Sequence, residues 1–230
     1  MNRIVEVFKD YTEFSTVNWE RVLEATKETI YMTLASVVLV FIIGLILGLI
    51  LYETQSGHTP FSRVTYKIIS AVVNFFRSVP FLILIVLLIP FTKLLLDTMR
   101  GPTAGLPALV FSAAPFYARL VETGFREIDR GVIEAAESMG ASKLELITKV
   151  LIPESLPSLI AGITTTAISL VGYTAMAGVI GAGGLGNLAY LVGFQRSQPT
   201  VTVVSTVIIV AIVYIIQKVG ESAVKVIDKR

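Results

Sequence analysis

Residues 29–52 read TIYMTLASVVLVFIIGLILGLILY, twenty-four residues without a charge. A bilayer hydrocarbon core about 30 Å thick needs roughly 20 apolar helical residues, because no water is present to satisfy an open backbone. This stretch predicts a membrane-crossing helix and sets the class of the chain. The composition agrees: of 230 residues, 54% are hydrophobic and only 16% charged. The mean hydropathy is +0.77, whereas soluble domains run nearer a quarter charged. Nineteen Lys and Arg against seventeen Asp and Glu leave a net charge of +2, too weak for a nucleic-acid partner. There is no cysteine and one histidine, His58. Disulfide frameworks, thiolate nucleophiles and Cys/His zinc sites are thereby excluded. His58, between Gly57 and Pro60, reads as a solvated loop residue.

Outward from this span, residues 78–92 are uncharged and, with 68–76 before them, make a second apolar stretch interrupted by Arg77. Residues 101–118 give a third span and 197–217 the last. Residues 155–195 form 41 charge-free positions; as one helix they would reach about 60 Å, twice the bilayer core. The run must break, and Gly181-Ala-Gly-Gly-Leu-Gly186 marks the place. One span over about 156–179, then a turn and a segment too short to cross, brings the count to five. Residues 1–28 carry ten charges and no apolar core, so they read as an extracytoplasmic amphipathic leader rather than a signal peptide. Residues 29–222 read as the transmembrane domain, with a cytoplasmic loop at 119–154, and 223–230 as a cytoplasmic tail. The loops at 53–77 and 119–154 and the C-terminal residues 218–230 hold twelve Lys and Arg, against seven on the other side. The richer side should be cytoplasmic, which places the N-terminus outside and the C-terminus inside.

The one sizeable hydrophilic insertion is residues 119–154. Asp129 can cap a first short helix, Gly140 suits the left-handed residue that ends it, and Ser142-Lys-Leu-Glu145 has the spacing of a capping box for a second. Pro153 is expected to follow that helix. Ile133, Ala136 and Met139 or Gly140 recur at helical spacing, as do Leu144, Ile147 and Val150. Such an amphipathic hairpin suits a groove in another protein. An alternative, a helix lying on lipid headgroups, is disfavoured by Glu134, Glu137 and Glu145.

Glu134-Ala-Ala, three residues, Gly140, nine residues, Val150, one residue and Ile152-Pro153 resembles the signature of ABC-importer permeases. Val150 and Ile152 stand where Ile and Leu are usual. The resemblance implies that this loop is a coupling helix docking into a cytoplasmic ATPase subunit, with Ile133, Glu134, Ala135, Ala136, Met139, Gly140, Leu144, Ile147 and Pro153 as its residues. Residues 73–81, 89–92, 113–116, 171–178 and 181–186 narrow it to the methionine-importer permease family. That likeness covers about residues 29–222. It implies the type I ABC importer fold, all-α with five transmembrane helices per subunit, in a bacterial cell membrane. It also implies a second copy of the chain, two ATPase subunits carrying ATP and Mg, and an extracytoplasmic methionine-binding protein. The chain itself is then no enzyme and holds no cofactor. Permeases for another amino acid or a phosphonate share the class. An ion-coupled secondary transporter is a rival, disfavoured because no Asp or Glu lies within the five spans. A scaffold subunit would leave the Gly- and Pro-broken spans unexplained.

Other features are weighed individually. Gly181, Gly183 and Gly186 match G-x-G-x-x-G formally, but no strand precedes them and the next acid is Glu221, so they bend the chain rather than hold a dinucleotide. No phosphate-binding loop occurs. Gly44 and Gly48 form a G-x-x-x-G step, read as packing within the subunit ahead of dimer contact. Asn74, Ser78 and Pro80 favour an inward-facing, kinked segment, in which Arg77 either lines a translocation cavity or gate or snorkels. Tyr173 and Met176 are candidates for the pathway, with plain packing as the alternative. Arg119 and Glu122 are expected to be an exposed i,i+3 pair.

Overall fold

The computed structural model describes residues 11–55, 57 and 59–228, so the reading of His58 lies outside it. A 3-10 turn, Phe14–Thr16, precedes ten α-helices. They are α1 Trp19–Gln55, α2 Pro60–Ser78, α3 Phe81–Leu87, α4 Ile89–Leu96 and α5 Pro102–Arg126, then α6 Arg130–Ser138, α7 Lys143–Glu145, α8 Ile152–Ala177, α9 Gly184–Leu188 and α10 Pro199–Ile227. π-helical turns cover Leu146–Leu151, Gly178–Ala182 and Ala189–Phe194. No strand occurs among the described residues.

Helix α1 starts ten residues before its charge-free run. The Asn18 side-chain oxygen accepts the Arg21 N–H at 3.1 Å, as an N-cap does. The charged residues 19–28 are therefore the first turns of the spanning helix, which at 37 residues is about 55 Å long.

The second apolar stretch is a bent pair of helices, as the kinked segment expected around Asn74, Ser78 and Pro80 requires. It breaks at Val79–Pro80, and α2 and α3 are bent by 107° there. Val79 is extended, with φ −82° and ψ 123°, as a residue before proline is driven to be. Pro80 starts the new helix, its carbonyl accepting the N–H groups of Ile83 and Leu84 at 2.9 and 3.0 Å.

Among the described residues four helices are long and apolar enough to cross a membrane, or five spans if the bent pair crosses as one. A shared core decides between them. Val22 and Ala25 at the start of α1 are buried with Val201 and Val204 at the start of α10. The two starts therefore lie on one side of the membrane, and the chain between them crosses an even number of times. The α1, α5 and α8 segments supply three crossings, so the bent pair supplies the fourth. The fold has five spans.

By packing, the chain forms two compact units, Met1–Val37 with Pro80–Val110 and Ala167–Ile216, and Val38–Val79 with Phe111–Thr166 and Gln217–Arg230. In the first, Leu185 and Leu188 of α9 complete the core of α1 and α10. In the second, Leu51, Val73 and Ala118 are buried together. The G-x-x-x-G step belongs to this second unit and packs within the subunit. A Cβ on Gly44 would lie 2.6 Å from Tyr117 Cδ1, and one on Gly48 2.5 Å from Val121 Cβ. Two glycines thus let α1 and α5 approach at backbone distance, as van der Waals packing in lipid demands.

The charge-free run 155–195 breaks at the glycines. Gly181, Gly183 and Gly184 have φ of 102°, 84° and 81°, conformations that side chains resist. The chain reverses and enters α9. Its first N–H groups are capped by α1: Gly184 donates to the Glu28 carboxylate at 2.6 Å and Leu185 to Thr29 Oγ1 at 2.9 Å. A carboxylate from the same chain fills this helix N-terminus, where a dinucleotide phosphate would have to sit. Asn187 Nδ2 closes the reversal on the Gly178 carbonyl at 2.7 Å.

Candidate coupling surface

The hairpin 129–153 lies in the second unit. Asp129 caps α6, its carboxylate accepting the Gly131 N–H at 2.7 Å. The helix ends in a Schellman motif: the Ala141 N–H reaches the Ala136 carbonyl at 3.1 Å and the Gly140 N–H the Glu137 carbonyl at 2.9 Å. Gly140 has φ +83°. One residue separates it from the capping box, in which Ser142 N–H and Oγ donate to Glu145 Oε2 at 3.1 and 2.8 Å. Glu145 N–H returns to Ser142 Oγ at 3.4 Å. Caps at both ends let segments this short hold helical form, although isolated helices of their length are unstable in water.

Pro153 does not end the second helix, as the sequence had suggested. The chain stays helical through α7, the π-turn Leu146–Leu151 and α8, with Pro153 as the second residue of α8. A proline ring in a regular α-helix clashes with the carbonyl four residues back. Here that carbonyl belongs to Lys149, and the wider π-turn opens the backbone where the ring must fit. The Ile152 N–H accordingly bonds back to the Ile147 carbonyl.

The periodic apolar residues divide between two faces. Ala136 is buried and Ile133 and Ile147 are half-buried, so these hold α6 on the π-turn. Met139 and Leu144 are 83% and 70% exposed. Glu134, Ala135, Gly140 and Pro153 are exposed as well. The hairpin therefore presents two large apolar side chains on either side of a tight turn, beside the carboxylates of Glu134 and Glu137.

At the end of α5 stands a buried charge network. Glu122 is 2% exposed. Arg119 Nη1 donates to its Oε2 at 2.7 Å, Arg126 pairs with its Oε1, and Tyr66 Oη donates to Oε1 at 3.4 Å. Arg119 also donates to Ser70 Oγ and, at 3.1 Å, to Asn74 Oδ1. The expectation of an exposed pair is wrong, because α2 packs over this face and seals the carboxylate beneath Tyr66. Two guanidiniums repay its desolvation. The spacing Arg119, Glu122, Arg126 was a signal for the pairing but not for its burial.

Of the pathway candidates, Asn74 thus accepts from Arg119, and Ser78 Oγ donates to the Asn74 carbonyl at 2.8 Å. Arg77 is exposed in the last turn of α2. In the first unit, Tyr173 stacks on Phe81 with ring centroids 4.8 Å apart and planes 12° from parallel. Met176 is 48% exposed. No group of His, Cys, Asp and Glu able to hold a metal ion occurs among the described residues.

Five spans broken by proline and glycine, with an exposed capped hairpin between the third and fourth, define a membrane transport subunit that works through a partner. Comparison with known proteins gives the family. Residues 44–230 match the binding-protein-dependent transport system inner membrane component, and the chain belongs to that family of permease subunits, which are not enzymes. It is 56% identical over 224 residues, 97% of this chain and 100% of the relative, to the methionine import system permease protein MetP of Bacillus subtilis. It is 43% identical to the probable D-methionine transport system permease protein MetI of Pasteurella multocida, over 92% of this chain and 98% of that one. Among solved structures it resembles a chain of the MetNI methionine ABC transporter in inward-facing conformations. The TM-score is 0.89 and the identity 42%, over 92% of this chain and 98% of that one. This is the type I ABC importer permease fold.

Proposed function

We propose that the chain is the permease of an ATP-driven methionine importer in a bacterial cell membrane, working as two copies with two cytoplasmic ATPase subunits and an extracytoplasmic methionine-binding protein. The observation that carries the proposal is the exposed hairpin: Met139 and Leu144 stand free on either side of a capped turn. Anchors on a rigid support are what a partner's groove takes up. The relatives' names supply methionine. The N-terminus lies outside and the C-terminus inside, so that this hairpin meets the cytoplasm.

ATP and Mg bind the partner. Closure of the two ATPase subunits would draw the paired hairpins together, and the π-turn makes each hairpin continuous with α8, so the movement enters the membrane as a tilt of that helix. Substrate released from the binding protein would then enter a pathway for which Asn74, Arg77, Ser78, Tyr173 and Met176 are the candidate lining. Purified chain in liposomes should accumulate no methionine under any ion gradient. With ATPase and binding protein added, uptake should require ATP and should resist competition by phosphonates. Uptake driven by a proton or sodium gradient alone would refute the proposal.

A further inference from the structure

The first unit carries a basic cavity that the transport cycle above does not use. Arg21 and Arg196 line it together with Asn18 and Gln198, its volume is about 150 Å³, and Val22 and Val201 form part of its floor. Val22 and Val201 belong to the packed core of α1, α9 and α10, so the floor is fixed. Both arginines are exposed. Neither forms a salt bridge with another described residue, and no carboxylate lines the cavity. The Asn18 oxygen is engaged by the Arg21 N–H, which leaves its amide NH2 as the group able to serve an anion. Two guanidiniums and two amides around one small cavity suit a carboxylate, which guanidinium grips with paired hydrogen bonds.

We propose that this cavity receives an Asp or Glu side chain from the docking face of the extracytoplasmic binding protein. The inference rests on the function proposed above, whose orientation puts the starts of α1 and α10 outside. The family is described as binding-protein-dependent, so a partner on that side is required. A lipid headgroup fits less well. Arg21 lies eight residues before Thr29, about 12 Å along the helix from where the charge-free run begins. Glu20 and Glu24 occupy the same turns and would repel an extended anionic surface, whereas a single side chain seated between the two guanidiniums meets no carboxylate in the cavity lining.

The test uses the complete transporter in nanodiscs, titrated with its own methionine-loaded binding protein, reading stimulated ATP hydrolysis. The double variant Arg21→Ala/Arg196→Ala should raise the half-saturating concentration about tenfold or more, as loss of a charge-paired docking contact does, with the maximal rate retained. High salt should weaken the wild type in the same way and the variant little. Arg21→Lys/Arg196→Lys should recover part of the loss, and equal retention of the ATPase subunit controls for folding. The difference should persist in purely zwitterionic lipid. An unchanged half-saturating concentration would overturn the inference, and a difference seen only with anionic lipid would assign the cavity to a headgroup. If the wild type failed to respond to binding protein at all, the proposed function itself would fall.

Discussion

The hairpin turn offers the sharpest test of how this permease couples to its ATPase. Gly140 sits at φ +83°, and a Cβ built on it meets nothing within 4 Å. A substitution there is therefore opposed by its own backbone and by no neighbour in this chain. The left-handed conformation costs a non-glycine residue about 1–2 kcal/mol. The Schellman bonds from Gly140 and Ala141 would have to be given up to relieve it, so that energy is set against the hairpin alone. A penalty of this size lowers the population of the docking-competent turn by roughly 5- to 30-fold. Gly140→Ala should weaken coupling by the lower end of that range. Gly140→Val adds a branched side chain at the surface offered to the partner and should nearly abolish transport. Gly140→Asn should lie closest to wild type, because asparagine tolerates this region. All three should insert normally, since the space around the residue is open. The assay is methionine uptake together with ATPase co-purification at matched membrane abundance. Wild-type uptake and full ATPase retention in Gly140→Val would refute both the strain argument and the docking role.

Other substitutions separate the remaining parts of the molecule. Glu122→Ala would leave Arg119 beneath α2 without its carboxylate, a loss of about 3–5 kcal/mol for a broken buried pair; thermal unfolding in detergent should shift down by several degrees, and Glu122→Gln by less. Gly48→Leu would drive a side chain into Val121 and the Ala118 carbonyl at a cost of about 1–3 kcal/mol; the protein should be destabilised while cross-linked dimer yield, normalised to folded protein, stays constant. Gly183→Ala would place its Cβ 2.5 Å from Glu28 Oε2 and should loosen α9 from α1, read as faster proteolysis near residue 184. With single cysteines at the exposed positions Ser142 and Ser197, only Ser197→Cys should react with an impermeant reagent applied to intact cells. Labelling of Ser142→Cys would reverse the orientation and remove the hairpin from the cytoplasm.

Some of this architecture is written in short-range pattern and some is not. The charge-free runs establish a membrane protein by themselves, because a helix in hydrocarbon satisfies its backbone internally and needs only length and apolarity. The hairpin's caps are equally local: Asp129, Gly140 and the Ser142–Glu145 box act on backbone groups within a few residues of themselves, so identity and spacing suffice. Pro153 is where local reading fails. The proline forbids a regular turn but does not say whether the helix stops or widens, and the continuation into the apolar run of α8 favours widening. The same limit applies at Pro80, where the break is foreseeable and the size of the bend is not. The burial of Glu122 and the partner of Glu28 lie beyond sequence reasoning of this kind. Each carboxylate meets a helix distant in the chain, α2 in one case and the start of α9 in the other, 156 positions away. Periodicity along one helix reports which face is apolar, but it carries no information on which partner covers a polar one. Only the packed structure decides that a charge near the end of a span is sealed in a network rather than left in water.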